Sequence, residues 1–194
     1  MTTGVPISRR SLVELAGALL GVPFAMSAAA ADVWTALRAP GHFAMIRHAS
    51  APGTLDPPGF RLDDCSTQRN LSDGGRAQAI RMGDLFRANG IAAARLYSSQ
   101  WCRCLDSATL TKLGDVTQQP LLNYFGRDPD RSQRQLAELR AWIAGLELVR
   151  PTLLMTHQLV ISTVVQGPAG DGEIVVVRRE ADGRLTVQGR QPTA

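Results

Sequence analysis

Lysine is nearly absent from this 194-residue chain: Lys112 stands alone among 21 basic residues, and the rest are arginines. They are scattered, and no basic run marks a nucleic-acid surface. A net charge of +4 is a mild bias toward an anionic ligand and no more. The 17 acidic residues form no cluster of the kind that holds Mg²⁺. Three cysteines are too few, and odd in number, for a disulfide framework. Aromatics are only 5%, yet apolar residues reach 44% and charged ones 20%, which excludes a disordered chain and supplies a core. After residue 31 no apolar run is long enough to span a membrane. No internal repeat and no low-complexity stretch follows.

The first 31 residues stand apart. Ser8-Arg9-Arg10-Ser11-Leu12-Val13 opens a basic segment, a mild Ala/Leu/Gly stretch follows, and Ser27-Ala28-Ala29-Ala30-Ala31 ends it. This order is that of a bacterial export signal, and the arginine pair resembles a twin-arginine signal; an ordinary secretory signal or an uncleaved membrane anchor is the competing reading. The expectation is an export signal over 1–31, cleavage near Ala30 or Ala31, and one domain over 32–194 with no membrane span after cleavage. The mature protein would then lie in the periplasm or cell envelope, where a disulfide persists. Cys65 could reach Cys102 or Cys104, leaving one thiol over; a Cys102–Cys104 bridge is disfavoured because neighbours two apart rarely meet disulfide geometry, and whether any bridge forms is left open.

Function is written at the ends of three apolar runs. His42-Phe43-Ala44-Met45-Ile46 stops at Arg47-His48-Ala49, followed by Ser50, Pro52 and Gly53. Thr152-Leu153-Leu154-Met155-Thr156 stops at His157. Arg95-Leu96-Tyr97-Ser98-Ser99 is followed by Arg103. Short apolar runs bounded by turn residues read as buried strands. In α/β folds, ligands bind where such strands end. If the three are parallel neighbours, His48, His157, Arg47 and Arg103 meet at one sheet edge. Two imidazoles and two guanidiniums make a poor structural cluster, since like charges repel and burial is costly. They make a good receptor for a tetrahedral oxyanion.

Between these runs the pattern predicts helices. One runs from Ser72, an N-cap, to Asn89-Gly90; another spans about 101–113, capped by Ser98 and Ser99, with Arg103 in its first turn; a third spans 132–148 and a fourth 158–166. A short helix or arm is expected over 32–40, a strand over 121–125, and a hairpin of 174–178 and 184–187 joined by Asp182-Gly183. Residues 49–70, rich in proline and glycine, read as a long loop that is either a lid or a solvated connection. His42 lies at the wrong end of its strand for the site. Trp101 belongs either to the core or to the pocket mouth.

The chemistry of the cluster is phosphoryl transfer. Neutral imidazole is a competent nucleophile, and nearby cations keep it neutral. One of the two histidines would attack phosphorus, while Arg47, Arg103 and the other histidine hold the equatorial oxygens and Ser50 adds a contact. Water would then release the phosphoryl group, with no cofactor. A zinc ion on Cys102, Cys104, His48 and His157 is the competing reading; Arg103, between the two thiols, opposes it.

These residues also resemble a known family. Arg47-His48-Ala49 is similar to the Arg-His-Gly signature of the histidine phosphatase superfamily, which includes phosphoglycerate mutase-like proteins. Asn70-Leu71-Ser72-x-x-Gly75-x-x-Gln78-Ala79 resembles its Leu-Thr-x-x-Gly-x-x-Gln-Ala segment. Ser98-Ser99-x-x-x-Arg103-x-x-x-Ser107-Ala108 resembles its Ser-x-x-x-Arg-x-x-x-Thr-Ala segment, and Leu154-Met155-Thr156-His157 resembles the strand bearing its second histidine. The four segments, in order, cover about residues 42–166. The resemblance implies a three-layer α/β/α sandwich with a mostly parallel sheet, His48 as the phosphorylated nucleophile, and Arg47, Arg103 and His157 as its phosphate pocket.

The chain departs from the pattern in three places. Ala49 replaces Gly, Gln158 rather than Asp follows His157, and Asn123 stands where small members carry a glutamate that acts as an acid. A general acid is worth roughly 10²–10⁴ in rate. The substitutes are Asp128 first, then Asp56 or Asp63. The sequence therefore points to an exported phosphatase acting on a small phosphomonoester or phosphoramidate. The rival reading is a cell-envelope protein that binds phosphate without turnover.

Overall fold

The computed structural model describes residues 1–2, 32–126 and 129–193. Residues 3–31, which hold most of the expected export signal, and Asp128 lie outside the described residues.

Asp32 caps a first short helix, α1 (Val33–Arg38), by accepting from Thr35 N–H. Strand β1 (His42–Arg47) follows, buried on both faces in its middle. A long loop leads to α2 (Asp73–Ala88), where Ser72 Oγ accepts from Gly75 N–H at 3.0 Å and Asp73 complements the helix N-terminus. Strand β2 (Arg95–Ser98) and helix α3 (Cys102–Leu110) come next. They are followed by β3 (Val116–Gln118), α4 (Pro129–Ala144) and β4 (Thr152–Thr156). Helix α5 (Gln158–Val165) and strands β5 (Ile174–Arg179) and β6 (Leu185–Gln191) close the chain.

The six strands form one sheet in the order β3-β2-β4-β1-β5-β6. Strands β3, β2, β4 and β1 are mutually parallel, and β5 and β6 run antiparallel. Register decides the site. Arg47 pairs with Thr156, and Ser98 with Met155, so β1, β2 and β4 end level with one another. The three expected strand ends are neighbours, with β4 in the middle. Every residue of β4 is buried, as a parallel strand covered on both faces requires.

Alternation along the strands splits the core in two. Ala44, Ile46, Leu153, Met155 and Val176 pack with Trp34, Leu37, Met82, Phe86 and Cys104 from α1, α2 and α3. Phe43, Met45, Leu154, Val175 and Val177 pack with Leu139, Ile143, Val160 and Val164 from α4 and α5. Helices therefore cover both faces of the sheet, and the three-layer α/β/α sandwich stands.

Several local expectations are corrected, among them the cap of α3, whose N-cap is Trp101 with no side-chain bond from Ser98 or Ser99 to its first turn. Residues 121–125 are not a strand: a 3-10 turn spans Pro120–Leu122. Pro120 has no N–H to give a ladder, and its fixed φ suits the start of a turn. The edge strand is instead Val116–Gln118, three residues between Gly114 and Pro120, too short to leave a period. The expected hairpin does form through Asp182-Gly183, and it is longer than its apolar residues suggest, with β6 as the exposed edge. The helix expected from 132 begins at Pro129, where a missing N–H costs nothing, and stops at Ala144 before Gly145.

Candidate active site

The ends of β1, β2 and β4 open into a cavity of about 320 Å³. His48 and Arg47 enter it from β1, His157 from β4, Arg103 from the first turn of α3, and Gln158, Leu159 and Ser162 from α5. Thr54, Leu55 and Asp56 of the long loop cover one side, so this part of the loop is a wall of the site.

His48 is 2% exposed. Its Nδ1 lies 2.8 Å from the Ala49 carbonyl, which only accepts, so Nδ1 carries the hydrogen and Nε2 keeps its lone pair. Burial above all lowers its pKa. The Ala49 hydrogen bond opposes this, and Arg103, Arg69 and Arg47 reinforce it, giving a value of about 3. His48 is thus a neutral imidazole near neutral pH with a free nucleophilic nitrogen. The loop that holds it is tightly fixed. Ala49 N–H donates to Ser107 Oγ at 2.9 Å, and the Ala49 side chain packs with Leu71 and Ala79. A Cβ on Gly75 would come within 1.9 Å of the Ser50 carbonyl, so only glycine lets α2 start against this loop.

His157 sits opposite, its ring centroid 5.6 Å from that of His48. Burial first, then Arg103, His48 and the other arginines, hold its pKa well below the ordinary histidine value. Its Nδ1 faces Arg103 Nη2 at 3.4 Å, and its Nε2 faces Ser99 Oγ at 2.8 Å. Trp101 and Tyr124 meet its ring edge to face, so Trp101 joins the core and also flanks the site. Arg47 reaches Asp171 at 2.7 Å and also donates to Gln158 Oε1 and the Ala169 carbonyl.

One charged pocket residue is not among the site residues expected from the sequence. Arg69, from the end of the loop, lines the cavity and anchors itself on the Ala51 and Gly53 carbonyls. Its only signal was its place just before Asn70-Leu71-Ser72. The Cys65–Cys102 disulfide ties this part of the loop to the start of α3, beside Arg103. The open choice of pairing is thereby settled. Cys104 is the buried free thiol, and burial pushes its pKa up to about 12. With Cys102 oxidised, the four-ligand zinc set loses a thiolate, and Arg103 lies against His157.

The cavity is rich in unused donors. The Nε–H groups of Arg47, Arg69 and Arg103 are all buried and lack a partner. Each of these orphaned donors carries a desolvation cost, and the three guanidinium groups, from β1, the loop and α3, line one cavity and suit an oxyanion. The acidic candidates fare differently. Asp56 is in the cavity wall, but its Oδ1 accepts from Arg103 Nη1 and Arg69 N–H, both at 2.9 Å, and its Oδ2 from Trp101 Nε1 at 3.0 Å. Burial favours its neutral form, yet the Arg69 N–H and the charge and hydrogen bond of Arg103 outweigh it and hold the pKa below the usual value. Asp56 is therefore ionised and fully engaged. Asp63 is 87% exposed, borders another groove and pairs with Arg61. Asn123 points to Ser99 and Gln100. Ser50, expected in the pocket, lines the neighbouring cavity with Gln78 and Thr193, because its N–H is turned to Gln78 Oε1 at 2.9 Å.

No family model matches the chain. No curated protein matches it either. Solved structures do. The protein histidine phosphatase SixA complexed with tungstate superposes with a TM-score of 0.56 at 17% identity, covering 78% of this chain and 97% of that one. The chain has the histidine phosphatase fold. A mycobacterial glucosyl-3-phosphoglycerate phosphatase complexed with VO3 gives a TM-score of 0.55 at 16% identity over 75% of this chain and 96% of that one. A phosphoserine phosphatase mutant from Entamoeba histolytica, in complex with phosphoserine, gives 0.52 at 13% over 78% and 97%.

Proposed function

We propose that this protein is a phosphatase that works through a phosphohistidine intermediate on His48, and that it is exported. The observation that carries the reading is the pairing of a neutral His48, with Nε2 free, and three arginines that line the same cavity. Nε2 attacks phosphorus and displaces the leaving group. Arg47, Arg69 and Arg103 hold the equatorial oxygens, where charge collects in the transition state. Water then attacks the phosphorus of phospho-His48, regenerating the imidazole and releasing phosphate. This donor set works without a metal ion.

The substrate class follows from the acid. Among the described residues, Asp56 is the one carboxylate in the cavity wall, and it is ionised and triply engaged. The enzyme then favours leaving groups that need little protonation: activated phosphomonoesters and phosphoramidates. Export rests on the residue pattern of 1–31 and is supported by the Cys65–Cys102 disulfide.

The test is hydrolysis of para-nitrophenyl phosphate and of a phosphohistidine peptide, without added metal, beside His48→Ala. Turnover that disappears in the variant supports the reading. Absence of turnover across pH 4–8, with vanadate still raising the melting temperature, would leave a phosphate-binding protein.

A further inference from the structure

Asn123 stands where the small members of the family carry an acid, and the structure gives it other work. Its amide orientation is fixed by a group that can only donate: Gln100 backbone N–H reaches Oδ1 at 2.8 Å. Asn123 Nδ2 in turn donates to Gln100 Oε1 at 2.9 Å. The same Oδ1 lies 3.1 Å from Ser99 Oγ. As Oδ1 only accepts, the Ser99 hydroxyl must spend its one proton there. Ser99 Oγ is left with acceptor sites. Trp101 N–H takes one at 3.3 Å, and His157 Nε2 lies at the other, 2.8 Å away. His157 Nε2 must then be the donor, and Nδ1, facing Arg103 Nη2, holds the lone pair. Ser99 is fully buried and His157 is 3% exposed, so no water competes for these bonds.

We propose that Asn123, acting through Ser99, is a positioning residue that locks His157 in the Nε2–H tautomer with its Nδ1 edge turned to Arg103. The inference rests on the phosphatase reading for its catalytic consequence, but not for its geometry. A hydroxyl free to rotate could donate to Nε2 as well as accept from it, and would leave the ring tautomer unspecified. Asn123 removes that freedom without lining the cavity.

The experiment reads the tautomer of His157 by ¹⁵N NMR of the imidazole at neutral pH in the full mature protein, next to kcat/KM on para-nitrophenyl phosphate. The wild type shows hydrogen on Nε2. In Asn123→Ala and Ser99→Ala the signal shifts toward the Nδ1–H form or an average, and kcat/KM falls roughly 10–100-fold, as when the outer partner of a functional histidine is lost. Asn123→Asp keeps an acceptor for Ser99 and for Gln100 N–H, while Gln100 Oε1 loses its donor, so the variant retains the Nε2–H signature. An Nδ1–H wild type overturns the proposal. So does an unchanged tautomer in Asn123→Ala, or a changed tautomer with unchanged kcat/KM. If the wild type shows the Nε2–H form and hydrolyses nothing, the phosphatase reading has failed and the assigned tautomer stands.

Discussion

Asp56 separates two accounts of the site, and removing it decides between them. The Arg103 and Asp56 side chains are 4% and 8% exposed, and the pair is 2.9 Å apart. Truncating one partner of such a pair strands a buried charge, which costs about 3–5 kcal/mol. Asp56→Ala also leaves Trp101 Nε1 and Arg69 N–H without their acceptor. For a domain of this size, each kcal/mol lowers the melting temperature by about 2–4 °C, so the drop is roughly 10 °C. Phosphate or vanadate should recover much of it, because Arg103 Nη1 is released to the ligand. The kinetic arm uses Asp56→Asn on two esters, para-nitrophenyl phosphate and an alkyl phosphate. An anchoring carboxylate predicts a loss of the same factor on both. A loss of 10²–10⁴ confined to the alkyl ester would make Asp56 the general acid and refute the reasoning.

Two further outcomes follow from burial and from the disulfide. Folding depresses the His48 pKa from 6.5 to about 3, so the unfolded chain binds more protons in that window and stability falls as pH drops below 6.5, by roughly 1.4 kcal/mol per pH unit. His157 acts in the same direction. Melting curves between pH 6.5 and 4.5 should show a slope that His48→Gln makes shallower; an equal slope in both contradicts a neutral buried His48. The Cys65–Cys102 bond closes a loop of separation 37, worth about 4 kcal/mol in chain entropy. Reduction, or Cys65→Ser with Cys102→Ser, should lower the melting temperature by roughly 8–16 °C and weaken vanadate binding, since Arg69 rides on the tethered loop. A reduced protein with unchanged vanadate affinity would show that the tether does not hold the pocket.

What was legible in the sequence was what local pattern carries. Arg47, His48 and His157 stand at the ends of apolar runs, and the period-2 alternation of β1 sends Phe43 and Met45 to one core and Ala44 and Ile46 to the other. Arg103 was legible because it opens a helix after a strand. Arg69 was not: it arrives from an aperiodic loop whose path is set by a disulfide and by bonds to the Ala51 and Gly53 carbonyls. Ser50 was misplaced because one backbone bond to Gln78 turns the chain away from the pocket. The 121–125 stretch is apolar enough for a strand, but Pro120 and the cap bond from Leu121 N–H to Gln119 Oε1 start a turn. Asn123 was read by its place in a pattern, and only its partners reveal what it holds.

The central claim is a covalent phosphoryl group on His48. The protein is mixed rapidly with ³²P-labelled phosphoramidate or phosphorylated peptide, quenched in alkali and digested. The account predicts a label that survives alkali, is lost in acid, maps to the peptide containing His48 and is absent from His48→Ala. Turnover with no trapped label at any time, or a label that persists in His48→Ala, would contradict it.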